Sequence, residues 1–119
     1  MEITMSTAAH GVCVTCYVQP LSALYQDGLE RVELFVSAEH RHLVPVPPVG
    51  QRVPVILATT AGQFRGGLRA FDGRSYLCPD LADERNNEAV SLARVLSRLN
   101  IQPKQHVQVK VEEHRWTIL

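Results

Sequence analysis

The sequence predicts a mainly β protein of the α+β class: a small six- to seven-stranded β-barrel with one amphipathic helix inserted before the C-terminal strands. Three observations carry that prediction. Apolar residues alternate at period two in short runs, such as Val12 to Val18, Arg31 to Val36, Arg52 to Thr59 and His106 to Val111. Turn-forming pairs separate the runs, among them Asp27-Gly28, Ala61-Gly62 and Asp72-Gly73. One stripe at helical spacing, Ala89, Leu92, Ala93, Leu96 and Leu99, stands late in the chain.

The elements follow in order. In the first strand Val12, Val14, Cys16 and Val18 share one face and Cys13, Thr15 and Tyr17 the other, and Pro20 is expected to end it. The Asp27-Gly28 turn leads to a second strand with Val32, Leu34 and Val36 together. Residues 37–50 hold three prolines in PVPPVG and read as a loop, since proline removes ladder donors from a central strand. The third strand, with Val53, Val55 and Leu57, turns at Ala61-Gly62 into Phe64 to Phe71, where Gly66-Gly67 suggests a bulge or a close backbone approach. A hairpin at Asp72-Gly73 returns the chain through Tyr76 and Leu77. The helix is expected from Asn87 to Leu99, capped by Asn86 or Asn87, with Asp80, Asp83 and Glu84 explained as acids near a helix start. A valine strand and the apolar stretch Trp116 to Leu119 complete the chain.

With 119 residues the chain reads as a single domain over 1–119, able to bury roughly two thirds of its unfolded surface; residues 1–10 are expected to be disordered. Twelve basic residues balance twelve acidic ones, which excludes polyanion binding through bulk charge and leaves only local contacts. No apolar run approaches the ~18 residues needed to span a bilayer, so no membrane partner is expected. The start MEITMSTAAH lacks the order of a signal peptide, so a cytoplasmic location is expected. Cys13, Cys16 and Cys78 make an odd count without framework spacing, which fits reduced thiols.

Candidate chemistry is sparse. Cys13 and Cys16 form a CVTC pair, but inside a strand their thiols point to opposite faces, which spoils a shared metal or redox site. His40 and His42 in EHRH are weak metal candidates, with Glu39 or His10 as further donors; solvated loop residues are the plainer reading. His106 and His114 read as surface residues. No G-x-S-x-G, P-loop or G-x-G-x-x-G pattern occurs, so catalysis is the lesser expectation and no cofactor is expected.

The stretch QFRGGLRAFDGR is more distinctive. Arg65 and Arg69 are an even number of residues apart, so a strand places both on the face opposite Phe64 and Leu68, with Arg74 just past the turn. Arginine's planar fork suits phosphates and base edges, and a two-stranded ribbon can enter a major groove. The plainer alternative is that the arginines blunt an edge and pair with Asp72 or Glu84.

The segment RVPVILATTAGQFRGGLRAFDGRSYL, followed by a helix and by LARVLSRLNIQPKQHVQVKVEE, is similar to the swapped-hairpin and double-psi β-barrels. It also resembles the related pseudobarrel DNA-binding domains of plant transcription factors and some restriction endonucleases. Leu96, Leu99, Ile101, Pro103 and the strand Val107, Val109 and Val111 carry the likeness, which spans about Arg52 to Glu113; Lys104 and Gln105 stand where those families have a Gly-Asp corner. The resemblance implies a barrel, and nucleic-acid contacts from loops and strand ends at Arg65, Arg69 and Arg74.

The functional expectation is thus a non-catalytic binding module, with nucleic acid as a partner through the arginine hairpin. A rival is a small-molecule or protein-interaction domain using the barrel mouth or the apolar C-terminal strand around Trp116. Unpaired strand edges and the tail RWTIL further suggest a homodimer.

Overall fold

The computed structural model describes residues 11–119. Expectations for residues 1–10, including the disorder and His10, lie outside the described residues. Nine strands form one sheet: β1 (Val12–Leu24), β2 (Glu30–Val36), β3 (Val53–Thr59), β4 (Gly62–Phe71), β5 (Arg74–Leu77), β6 (Asp80–Asp83), β7 (Ala89–Ser91), β8 (His106–Glu112) and β9 (Arg115–Ile118). A single α-helix, α1 (Leu92–Arg98), precedes β8, and a short 3-10 turn (Ala38–Leu43) lies between β2 and β3. The strand order is β3-β9-β8-β1-β2-β5-β4-β6-β7, and a further β3–β4 pairing closes the first seven into a barrel. Closure gives every barrel strand a neighbour on each side, and β6 and β7 form a two-stranded flap on β4.

Alternation explains the interior. Val14, Cys16 and Val18 of β1, Val32, Leu34 and Val36 of β2, and Val107, Val109 and Val111 of β8 all point inward and are buried. Phe64, Leu57, Leu77 and Trp116 fill the remaining volume. Apolar burial of this kind is the main stabilising term, about 25 cal/mol for each Å² removed from water.

Several expectations are corrected by tertiary context. The first strand does not stop at Pro20: β1 continues to Leu24 beside β2, with a register shift after Pro20 and Ser22 at φ 60°. On the side facing away from β2 the bonds of β1 end at Val18, whose N–H donates to Gln105 O, so beyond it no ladder donor is needed and proline is tolerated. Gly66-Gly67 is no bulge, since β3 and β4 pair in regular register through Val55–Gly66 and Pro54–Gly67. Close approach is the reason for the glycines: Gly66 faces Leu81 and Leu77 inside the barrel, and the Arg52 guanidinium lies over Gly67 outside.

The helix is shorter than its apolar stripe. Asn87 adopts φ 62° in the turn between β6 and β7, and Ala89–Ser91 pairs with Asp80–Ala82, so residues expected to be helical are in a hairpin. Neither Asn86 nor Asn87 caps α1; the Ser91 hydroxyl does, accepting the Arg94 N–H at 2.9 Å. The carboxylates expected near a helix start belong to this flap instead: Asp80 and Asp83 lie in β6, and Asp83 Oδ1 accepts the Arg85 N–H at 2.8 Å. At its far end Asn100 at φ 61° and the bonds Ile101 N–H to Leu96 O and Asn100 N–H to Ser97 O make a Schellman stop. The turn expected to need a Gly-Asp corner is made by Pro103 and by Lys104 at φ 73°, closed by a bond from Gln105 N to Gln102 O.

The C-terminal stretch is not an exposed apolar edge. β9 pairs with β8 on one side and, in parallel, with β3 on the other, and Trp116 is 1% exposed. Trp116 thus faces the barrel interior, and β9 presents no unpaired edge of its own. No helix among the described residues is long and apolar enough to cross a membrane.

Candidate binding face

The outward phase of five adjacent strands carries a continuous row of side chains. His106 of β8 stands opposite Tyr17 of β1, Tyr17 opposite Phe35 of β2, Phe35 opposite Tyr76 of β5, and Tyr76 opposite Arg69 of β4. The rings of the row meet in two pairs. Tyr17 and His106 lie 5.2 Å apart by ring centroid, and Phe35 stacks on Tyr76 at 4.6 Å with a 22° interplanar angle.

The β4–β5 hairpin adds a second tier. Asp72 and Gly73 both have positive φ, 55° and 71°, the requirement of a type I′ turn, and this sets Phe71 directly opposite Arg74. Phe71 meets Phe35 edge-on at 6.4 Å, and the Arg74 guanidinium sits 4.8 Å from the Phe35 ring centre while its Nε donates to Val36 O at 2.9 Å. Phe35 is thereby covered to 7% exposure and is the foundation of the cluster, whereas Phe71, 66% exposed, presents its ring to solvent. Four of the chain's six Phe and Tyr residues lie on this one outer face, where water would ordinarily meet polar side chains.

The three arginines part company. All three point outward, but Arg65 is bound to Asn87 Oδ1 and pairs with Glu84 at 3.7 Å, so it ties the flap to the barrel. Arg69, four residues and about 13 Å further along β4, has no ion pair among the described residues. Its neighbours are Tyr76, Cys78 and, through Cys78, Arg52. Arg74 belongs to the aromatic cluster. Arg52, Arg69 and Arg74 thus form the cationic margin of the row, and Arg65 does not.

Local electrostatics follow from burial. Desolvation raises the Tyr76 phenol, with Glu33 adding to the effect and Arg69 opposing it. Desolvation also raises the Cys78 thiol, against the pull of Arg52. The Glu33 carboxyl, on the same face, is raised by desolvation with Arg31 opposing. Gln19, Glu33, Phe35, Phe71, Arg74 and Tyr76 enclose a cavity of about 290 Å³.

Other sequence candidates find structural roles. His40 is half-buried and its Nδ1 accepts the Thr15 N–H at 3.0 Å, so one ring nitrogen is already used; His42 is exposed. No group of three or more His, Cys, Asp or Glu side chains among the described residues is placed to hold a metal ion. Cys13 is exposed and Cys16 buried, on opposite faces of β1 as the spacing required, and burial pushes the Cys16 thiol up to about 12. An apolar cleft of about 320 Å³ at the barrel mouth lies between α1 and β2, lined by Val18, Leu29, Val32, Leu96 and Ile101.

No family model, curated protein or solved structure matches this chain. The site must therefore be read from its own chemistry.

Sequence reasoning singled out arginines and missed the aromatics. The available signal was phase: Tyr17, Phe35, Phe71 and Tyr76 all sit at positions opposite the inward valines and leucines of their strands.

Proposed function

We propose that this protein is a non-catalytic binding module for single-stranded nucleic acid, which lies across the outer face of β8, β1, β2, β5 and β4. The observation that carries the proposal is the cross-strand row from His106 through Tyr17, Phe35 and Tyr76 to Arg69. With Phe35 covered beneath them as a support, the more exposed rings stack unpaired bases at about 1–3 kcal/mol per base, and arginines beside them hold the backbone phosphates. A duplex hides its base faces, so the row favours single strands over the major-groove docking that the hairpin first suggests. Three unpaired cysteines fit a reducing, cytoplasmic setting. The mouth cleft beside α1 supports a second reading, a site for a small apolar ligand.

Fluorescence anisotropy with a labelled dT 12-mer, the matching RNA and a duplex tests the proposal. Three phosphate contacts from Arg52, Arg69 and Arg74 give a log–log salt slope of about −2, an affinity loss of about 20-fold between 50 and 200 mM salt. Phe71→Ala is expected to weaken binding about 5- to 150-fold, and Arg69→Ala to lower the slope by about 0.7. Arg65→Ala is expected to leave affinity unchanged. Absence of binding at 50 mM salt, or equal losses from Arg65→Ala and Arg69→Ala, refutes the proposal.

A further inference from the structure

The cavity between Phe71 and Tyr76 carries two acceptor side chains on one wall. Gln19 and Glu33 face each other directly across the β1–β2 ladder. Gln19 Nε2 donates one of its two N–H groups to Pro20 O at 3.0 Å, and no hydrogen bond among the described residues uses its Oε1 acceptor. The Glu33 carboxylate, when ionised, is acceptor-only, and no cation among the described residues lies within ion-pair distance of it. On the opposite side Arg74 Nε donates to Val36 O and the guanidinium lies over the Phe35 ring, which leaves its Nη donors for a strand phosphate. The polar wall formed by Gln19 and Glu33 is thus a pair of neighbouring acceptors, beside stacked rings.

A flat aromatic ligand with two adjacent donors on one edge matches this acceptor wall. Guanine does so with N1–H and the N2 amino group. Adenine and cytosine each place an acceptor beside their single amino donor, and thymine or uracil presents one N–H between two carbonyl oxygens. A simple organic cation would meet Arg74 in the same cavity and be repelled. We propose that the cavity bounded by Gln19, Glu33, Phe35, Phe71, Arg74 and Tyr76 selects guanine within a bound single strand. Glu33 receives the N1–H and N2–H donors and the exposed ring of Phe71 stacks on the base. This selectivity rests on the single-strand reading above.

The test uses dT 12-mers carrying one central guanine, hypoxanthine or adenine, measured by anisotropy against all-dT with wild type and Glu33→Gln. A guanine 12-mer binding about 5- to 150-fold tighter than the adenine one, with hypoxanthine between them because it lacks the N2 donor, is the expected result. Glu33→Gln is expected to erase the preference while all-dT binding persists, no weaker than in wild type because a negative charge is removed from the face, which also shows that the variant folds. Equal binding of all four oligomers overturns guanine selection and leaves the stacking surface standing. Retention of the preference in Glu33→Gln overturns the role of the carboxylate. Absence of binding to every oligomer, all-dT included, overturns both readings together.

Discussion

Replacing Gly66 with alanine places a methyl group inside the barrel, where it would stand 2.7 Å from Leu81 Cδ2 and 3.1 Å from Leu77 Cδ1. Leu77 is fully buried and Leu81 nearly so, so neither has free space to retreat into. Overpacking of this kind costs about 1–3 kcal/mol. For 119 residues the unfolding entropy is about 0.25 kcal/mol per kelvin, so the melting temperature should fall by about 4–12 °C. Gly67→Ala is the matched control. Its added methyl points outward and meets the exposed Arg52 side chain from Cγ to the guanidinium, which must swing off the strand into solvent rather than into the core, so the melt should fall less than in Gly66→Ala. Thermal melts followed by circular dichroism read both variants. Wild-type stability in Gly66→Ala, or equal losses in the two, would refute the claim that adjacent glycines serve opposite faces of one regular strand.

Two further predictions follow from ionisable groups. Desolvation raises the Glu33 carboxyl above its ordinary 4.5, so the folded state holds this proton more tightly than the unfolded state. Its stabilising contribution is complete below the unfolded value and is lost as pH rises through the folded one. Glu33→Gln should therefore be more stable than wild type near pH 7, with the gap closing toward about pH 3; urea titrations at both pH values check the sign. Among the thiols, Cys13 is exposed whereas Cys16 and Cys78 are buried and raised by desolvation, so a thiol reagent should modify Cys13 rapidly and the other two only after denaturation. Fast labelling of Cys16 in the native protein would contradict its place in the barrel interior.

The barrel was legible because its elements are locally coded. Period-two valines in β1, β2, β3 and β8 describe strands with one wet and one dry face, and Asp72-Gly73 accepts the positive φ of a hairpin turn. The flap was not legible in the same way. Ala89 continues the helical stripe of Leu92, Ala93 and Leu96, so periodicity alone extends the helix; what stops it is pairing of Ala89–Ser91 with β6, a contact that no local window contains. The sequence of the C-terminal strand suggests an exposed apolar tail for a similar reason. An apolar run of four residues looks the same whether it is an edge or, as here, a stave of the barrel between β3 and β8.

For the candidate site the division is sharper. That Arg65 and Arg69 share the outer face of β4 follows from their even spacing, and that Tyr17 lies opposite the valines of β1 follows from the same rule. Sequence alone thus determined which side of each strand a residue faces, because side-chain direction alternates with every peptide. Only the tertiary structure decided which strands lie side by side and in what register. Register aligned His106, Tyr17, Phe35, Tyr76 and Arg69 into one row from distant parts of the chain, and it gave Arg65 to Asn87 and Glu84 while leaving Arg69 beside the rings. The physical reason is that register is set by burying all the inward faces together, and that condition exists only once the barrel has closed.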